Sequence, residues 1–190
     1  EGVVYRPSTP YAVSKAAADM SLMTFHRTWD FPVVFTRAAN VYGPGQQLYR
    51  IIPRAILYFL TGRKLLLHGG GRSLRSFIHI RDVADGTYRA AMQARNGDIY
   101  HLAGHDAISI RDLVEKIALQ MKVDFKEHVV ETEDRPGKDA AYLLDSTKAR
   151  ESLNWTDRIP LETGLEQTIA WVKDHLDLLR EMPSEYIHKP

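Results

Sequence analysis

An α/β fold with a largely parallel sheet is predicted by three observations. Short apolar runs of strand length alternate with longer segments of helical period. Glycine and proline cluster between these segments, as they do in loops that join compact elements. At 190 residues, with 44% hydrophobic and 26% charged side chains, the chain has ordinary globular composition and enough length for a core. Internal repeats and low-complexity tracts are absent.

The elements follow in order. Ser8 or Thr9 can cap a helix whose first turn holds Pro10, where a missing N–H costs nothing. That helix is expected to run to about Trp29, with Ala12, Ala16, Met20, Met23 and Phe25 among its apolar positions. After Pro32, VVFTRAA reads as a buried strand, and VYGPGQ as a loop by its Gly and Pro content. Residues 51–61 read as helix with Pro53 in the first turn. KLLLHG is a short strand, GGGR a turn and SFIHI another strand. RDVADGTYRAAMQA is helical and is stopped by Asn96-Gly97, with Asp82 the expected cap. DIYHLAG is a strand entering a glycine loop. Ser109 caps IRDLVEKIALQM, which has clear helical periodicity. Two strands are possible between 127 and 143, and residues 146–153 and 162–180 read as helices.

Charge and composition remove several functions. A formal net charge of +1 gives no strong field toward nucleic acid or an anionic membrane. The absence of cysteine removes a disulfide scaffold, a thiolate zinc site and a thiol nucleophile, and fits a reducing compartment. No apolar run approaches the ~20 residues that span a bilayer, so a cytoplasmic protein without membrane contact is expected. No signal peptide is visible, and the first residue is not Met, so a longer parent protein is expected. The glycine-rich dinucleotide fingerprint is absent. Gly69-Gly70-Gly71 is no substitute, because it lies between two strand-like runs and opens no helix.

The stretch TPYAVSK carries chemistry. It places Tyr11 and Lys15 four apart, on one face of a helix. A free phenol, with a pKa near ~10, is a weak base at neutral pH, and a neighbouring ammonium favours the phenolate. Such a phenolate can take a proton from a sugar or alcohol hydroxyl while hydride leaves the same carbon. Spacing alone does not separate this pair from coincidence. The decision rests on other residues.

STPYAVSKAAAD, TRAANVYGPGQ, LRSFIHIRDVADG and EDRPGKDAAYLLDSTKARESLNW occur in this order. Together they resemble the extended short-chain dehydrogenase/reductase family, from about residue 1 to about 175, and within it the nucleotide-sugar 4,6-dehydratases acting on dTDP-glucose. The resemblance implies the C-terminal part of a Rossmann-type parallel-sheet fold plus a smaller α/β substrate-binding domain, with the N-terminal dinucleotide-binding half outside these residues. The Rossmann part would take 1–44, with 74–95 and about 98–102 interleaved. The substrate-binding part would take mainly 45–73 and 103–190.

The resemblance also implies roles. Tyr11 matches the catalytic tyrosine, and Lys15 the lysine that tunes it and holds the nicotinamide ribose of NAD. Arg37 and Asn40 fall on the cofactor side, and Asn40 also against the diphosphate of a nucleotide-diphosphate sugar. Arg50 stands where the family usually has a substrate-facing lysine, a change that keeps charge and alters geometry. Leu67 and His68 fall on a strand that packs on the base. Arg75 and Arg135 match diphosphate arginines, suited by their guanidinium forks. His105 falls on a substrate-contacting loop, and Lys138 stands where histidine is frequent. The loop setting of His101 and His105 argues against a helical metal pair, and no metal is expected.

In this family the tyrosine takes the 4-hydroxyl proton as hydride passes to NAD, water is eliminated across C5–C6, and the hydride returns to C6. The acidic pair for elimination lies upstream of the tyrosine, before residue 1, and Glu1 is not assigned to it. These residues alone are therefore expected to be inactive. A nucleotide-sugar 4-epimerase would share Tyr11, Lys15, Asn40 and Arg75, and UDP, CDP or GDP could replace dTDP. A non-catalytic sugar-nucleotide-binding domain would have no need of the Tyr–Lys pair. The helix carrying that pair has Ala16, Ala17, Met20, Leu22 and Met23 on more sides than one buried stripe requires, and family members commonly dimerise through it, so a homodimer is expected.

Overall fold

Thr9 opens the first helix as anticipated. In the computed structural model, which describes residues 6, 7, 9–133 and 141–185, its hydroxyl accepts from the Ala12 N–H at 3.2 Å. Helix α1 (Pro10–Trp29) then runs to Asp30, which turns out of it in the left-handed region at φ 52°.

Strand β1 (Phe35–Ala38) pairs in parallel with β5 (Ile99–Leu102), Phe35 opposite Ile99 and Ala38 opposite Leu102. Strand β2 (Asn40–Tyr42) pairs in parallel with β4 (Leu74–His79). Strand β4 also takes β6 (Ala107–Ser109) antiparallel and β8 (Ala141–Tyr142) parallel. Strand β3 (Leu65–His68) pairs in parallel with β7 (Val129–Thr132). The class is therefore mixed α/β with mainly parallel pairing, divided among small sheets.

Helices fill the connections: α2 (Ile51–Leu60), α3 (Ile80–Gln93), α4 (Ile110–Met121), α5 (Phe125–His128), α6 (Thr147–Leu153), α7 (Leu161–Asp174) and α8 (Leu176–Leu179). Ser109 caps α4 by accepting from the Asp112 N–H at 3.0 Å. Among the described residues, no helix is long and apolar enough to cross a membrane.

Two apolar clusters hold these elements. In the larger, α2 buries Ile52, Ile56, Leu57 and Phe59 against Leu65, Leu67, Leu113, Ile117, Leu165 and Val172. Nearly every residue of α2 is buried, which explains a helix with almost no polar face. In the smaller, Ala39, Ile78, Ala90, Tyr100 and Leu102 surround Leu153 and Trp155. Burying side chains of this size contributes about 1.5–3 kcal/mol each.

Several expectations need correction. VYGPGQ is not all loop, because Asn40–Tyr42 find a strand partner in β4, far away in sequence. The expected helix over 162–180 breaks at His175 into α7 and α8. The short elements β6 and α5 went unread. Asp82 is not the cap of α3: His79 is, accepting from the Arg81 N–H at 3.3 Å. Asp82 lies inside the first turn and anchors a remote segment instead. Its carboxylate accepts from the Ile159 N–H at 3.1 Å, and its carbonyl from the Trp155 indole at 2.9 Å.

Within the larger cluster, Tyr42 packs against α7. Its phenol donates to the Leu161 carbonyl at 3.4 Å. The ring passes directly over Gly164, where a Cβ would lie 2.1 Å from the phenol oxygen. Gly164→Ala is expected to destabilise the fold by about 1–3 kcal/mol through overpacking. Helix propensity alone favours alanine by about 1 kcal/mol, so the sign separates the two effects. Urea unfolding measures it, and a stabilised variant would mean that the ring and helix part without cost.

Candidate functional site

A cleft of about 620 Å³ opens where β2 ends, lined by residues 39–47, Tyr49, Arg50, Ile51, Ile52, Arg75, Phe77, Ile80 and Ile110. Its wall is the turn after Tyr42. Gly43 sits at φ +146°, and a Cβ there would lie 2.8 Å from Ile80 and 3.1 Å from the His79 ring. Only glycine lets the chain pass so close to the start of α3. The Gln46 N–H closes the turn on the Gly43 carbonyl at 3.3 Å, and the Gln46 carboxamide donates to the Val41 carbonyl at 2.6 Å.

Arg50 and Arg75 bring two positive charges to this cleft, and its described lining contains no carboxylate. Arg50 ends the loop at the N-terminus of α2, with its guanidinium 5.4 Å from the Tyr49 ring centroid. Arg75 is half-buried on β4 and donates to the Leu74 carbonyl at 2.7 Å. Asn40 donates to the Ser76 carbonyl at 3.1 Å, which fixes its amide at the cleft wall. The combination of guanidinium groups and a helix N-terminus favours an anion.

Two buried titratable groups lie under the turn. Burial pushes the Tyr42 phenol well above its ordinary range, with the Asp82 and Glu162 charges adding to it. Tyr42 is therefore a structural phenol and no proton acceptor. The His79 ring, 1% exposed, meets Tyr42 edge-on at 5.5 Å. Burial holds its imidazole below the ordinary 6.5; Arg81 adds to this, while Asp82 opposes it. Because Nδ1 accepts from the Arg81 N–H, the neutral ring carries its proton on Nε2, which has no hydrogen-bond partner among the described residues.

The residues anticipated from sequence divide into groups. Asn40, Arg50 and Arg75 are brought together in the cleft. Tyr11, 71% exposed, and Lys15 stand on α1 with the ammonium 5.8 Å from the phenol ring centroid, and neither belongs to the described lining. Arg37, expected beside the cofactor, instead donates to Asp19 of α1 from Nε at 3.1 Å and Nη2 at 2.5 Å. Leu67 points into the core, because strand alternation exposes Leu66 in its place. His68 hydrogen-bonds the Thr132 hydroxyl at 2.7 Å, away from the cleft lining. His105 lies outside the lining as well. It faces Asp157, which accepts from its N–H at 3.3 Å and meets its ring at 3.5 Å. Arg135 and Lys138 lie outside the described residues.

Gln46, Tyr49 and Ile80 line the cleft without having been singled out. The available signal was a polar residue directly after Gly43-Pro44-Gly45, a turn whose backbone leaves little room for anything but function or closure. The described residues contain no group of three or more His, Asp or Glu side chains placed to hold a metal.

The chain is similar to known proteins. A family model described as GDP-mannose 4,6 dehydratase matches residues 1–168. dTDP-glucose 4,6-dehydratase 1 of Escherichia coli (strain K12) is 31% identical over 178 residues, covering 90% of this chain and 49% of the relative. The dTDP-glucose 4,6-dehydratase of Neisseria gonorrhoeae is 31% identical over 185 residues, covering 92% and 54%. Among solved structures, the dTDP-glucose 4,6-dehydratase DesIV of Streptomyces venezuelae, with NAD and TYD bound, superposes with a TM-score of 0.87 at 31% identity, over 91% of this chain and 53% of that one. The UDP-glucose 4-epimerase of Thermotoga maritima, with UDP-glucose, gives 0.85 at 25% identity, over 90% and 55%. The chain spans about half the length of the curated relatives it matches.

His79 makes stability depend on pH. Its folded pKa lies below the unfolded value, so as pH falls through 6.5 the unfolded chain takes up a proton that the folded chain refuses. Stability is expected to fall between about pH 7 and about pH 5. His79→Asn keeps a capping acceptor for α3 and removes the titration, so its stability should vary less over that range. His101, also held low by burial, is common to both proteins and cancels in the comparison. Parallel pH slopes for the two proteins, measured by denaturant unfolding, would rule this account out.

Proposed function

Because this chain belongs to the GDP-mannose 4,6 dehydratase family, among the extended short-chain dehydrogenases/reductases, we propose that the whole protein is a nucleotide-sugar 4,6-dehydratase. It would convert a dTDP-glucose-like substrate to a 4-keto-6-deoxy sugar. The observation that carries this reading is the cleft, which Arg50 and Arg75 line together with Asn40 and a turn held by Gln46, with no carboxylate in the described lining. That chemistry suits a diphosphate, which would lie against the two guanidinium groups. Relatives near 30% identity with dehydratase activity, and a solved neighbour holding NAD and TYD, support the same substrate class.

Tyr11 and Lys15 fit the NAD side of such a site. They lie on consecutive turns of an exposed helix, and the pair offers a phenol and an ammonium to ribose hydroxyls. Bound NAD supplies a reversible hydride acceptor. Tyr11 would take the proton from the sugar 4-hydroxyl, with the Lys15 ammonium 5.8 Å from its ring centroid. Arg75 and Arg50 would hold the diphosphate, with Asn40 beside it, its amide tied to the Ser76 carbonyl. On this reading the 190 residues alone bind a sugar nucleotide without turning it over.

On this reading 1–44, 74–95 and about 98–102 lie on the cofactor side and mainly 45–73 and 103–190 on the substrate side, although Tyr42 packs in the larger apolar cluster with the substrate-side helices. Helix α6 and Trp155 join the cofactor side through the smaller cluster. A 4-epimerase is the second reading, supported by the UDP-glucose 4-epimerase neighbour with nearly the same superposition.

The test is the whole protein with NAD and dTDP-glucose, with UDP-glucose in parallel. A 4-keto-6-deoxy product is expected, and Tyr11→Phe should lower kcat by about 10²–10⁴-fold. A C4 epimer in its place would establish the second reading, and tight binding without product would make the protein a binding module.

A homodimer would form through α1. Val13, Met20, Phe25 and Trp29 are exposed on it, and Ala16 is its one buried residue among those described. Met20→Glu is expected to shift sedimentation from dimer to monomer, and a dimer that persists would place the interface elsewhere.

A further inference from the structure

Helix α1 is held to the rest of the described chain by very little. Ala16 is its buried residue, and Val13, Met20, Phe25 and Trp29 face outward. Half-buried Ala12, Met23 and His26 lie on the same face as Ala16, with the His26 ring close over Gly97, and this narrow contact sets the rotation of a 20-residue helix about its axis only coarsely. A directional contact sets it more closely.

That contact is Arg37 with Asp19. The guanidinium donates twice to one carboxylate oxygen, from Nε at 3.1 Å and from Nη2 at 2.5 Å. Both side chains are partly buried, 26% and 29% exposed, so water screens the pair less than a surface one. Arg37 cannot drift, because its backbone is paired within the β1–β5 ladder opposite His101. Asp19 lies four residues beyond Lys15 and eight beyond Tyr11. Steps of four advance about 40° around a helix, so the three side chains form one stripe. Fixing Asp19 therefore fixes the direction of Tyr11 and Lys15.

We propose that Asp19 and Arg37 are positioning residues that set the rotation of α1 and so aim Tyr11 and Lys15. The inference rests on the dehydratase reading only for the use made of that aim. A slip of one residue turns the helix by about 100° and points both groups away.

The test uses the whole protein and has two readouts. The described chain has no cysteine, so spin labels at Ser14→Cys on α1 and Thr87→Cys on α3 report the helix orientation as a distance distribution, provided any remaining cysteines are replaced. Turnover of dTDP-glucose is measured on unlabelled protein. Asp19→Asn and Arg37→Lys should each broaden the distribution and lower kcat about 10- to 100-fold, with KM changed little. Exchanging the two charges, Asp19→Arg with Arg37→Asp, should narrow the distribution again and recover part of kcat. An unchanged distribution overturns the inference whatever the activity. So does a broadened one with unchanged kcat. A wild-type protein that turns nothing over, with distributions that broaden as stated, leaves the anchor standing and removes the dehydratase reading alone.

Discussion

Strand β4 is the constraint on which the rest depends. Leu74 pairs with Ser109 of β6 and with Ala141 of β8, and Phe77 to His79 pair with β2. The six residues of β4 thus join three other strands into one four-stranded sheet. What β4 carries is fixed with it. Arg75 and Phe77 reach the cleft, Ser76 receives Asn40, and His79 caps the helix that follows. Asp82, one turn further, then gathers the segment from Trp155 to Ile159.

The cleft follows from this rigidity. A turn bearing Gly43 and Gly45 lies over the start of α3, and its shape is set by close approach and by the Gln46 clasp. Two arginines face that turn from different elements, one on a strand and one at a helix start. Helix α1 contrasts with all this. Its contact with the rest of the described chain is narrow, a face of Ala12, Ala16, Met23 and His26 with the Asp19–Arg37 ion pair among them.

Buried titratable groups under the cleft serve structure. Tyr42 and His79 pack edge to face, burial raising the phenol's pKa and lowering the imidazole's, and Tyr42 lies against α7. The Tyr42 hydroxyl and the His79 Nδ1 are placed by the backbone, through Leu161 and Arg81. This couples the cleft wall to the helix on which Gly164 makes room for the phenol.

Local information carried the sequence a long way. Thr9 and Ser109 are capping residues, and their helices begin where they say, because a cap is decided within three residues. Apolar period gave α2 and α4, and the spacing of Tyr11 and Lys15 placed them on successive turns. Asn40, Arg50 and Arg75 were legible through their motifs, and the fold brings them to one cleft. What sequence could not decide was partnership across distance. Asn40–Tyr42 become a strand because β4 lies beside them. Arg37 meets Asp19, and His105 meets Asp157, because helices and loops from other parts of the chain arrive there. Leu67 turns inward and Leu66 outward because a core forms on one side of β3. The energy of a cap or a helical stripe is local and readable along the chain, whereas an ion pair or a strand ladder exists only once the tertiary structure has brought its two halves together.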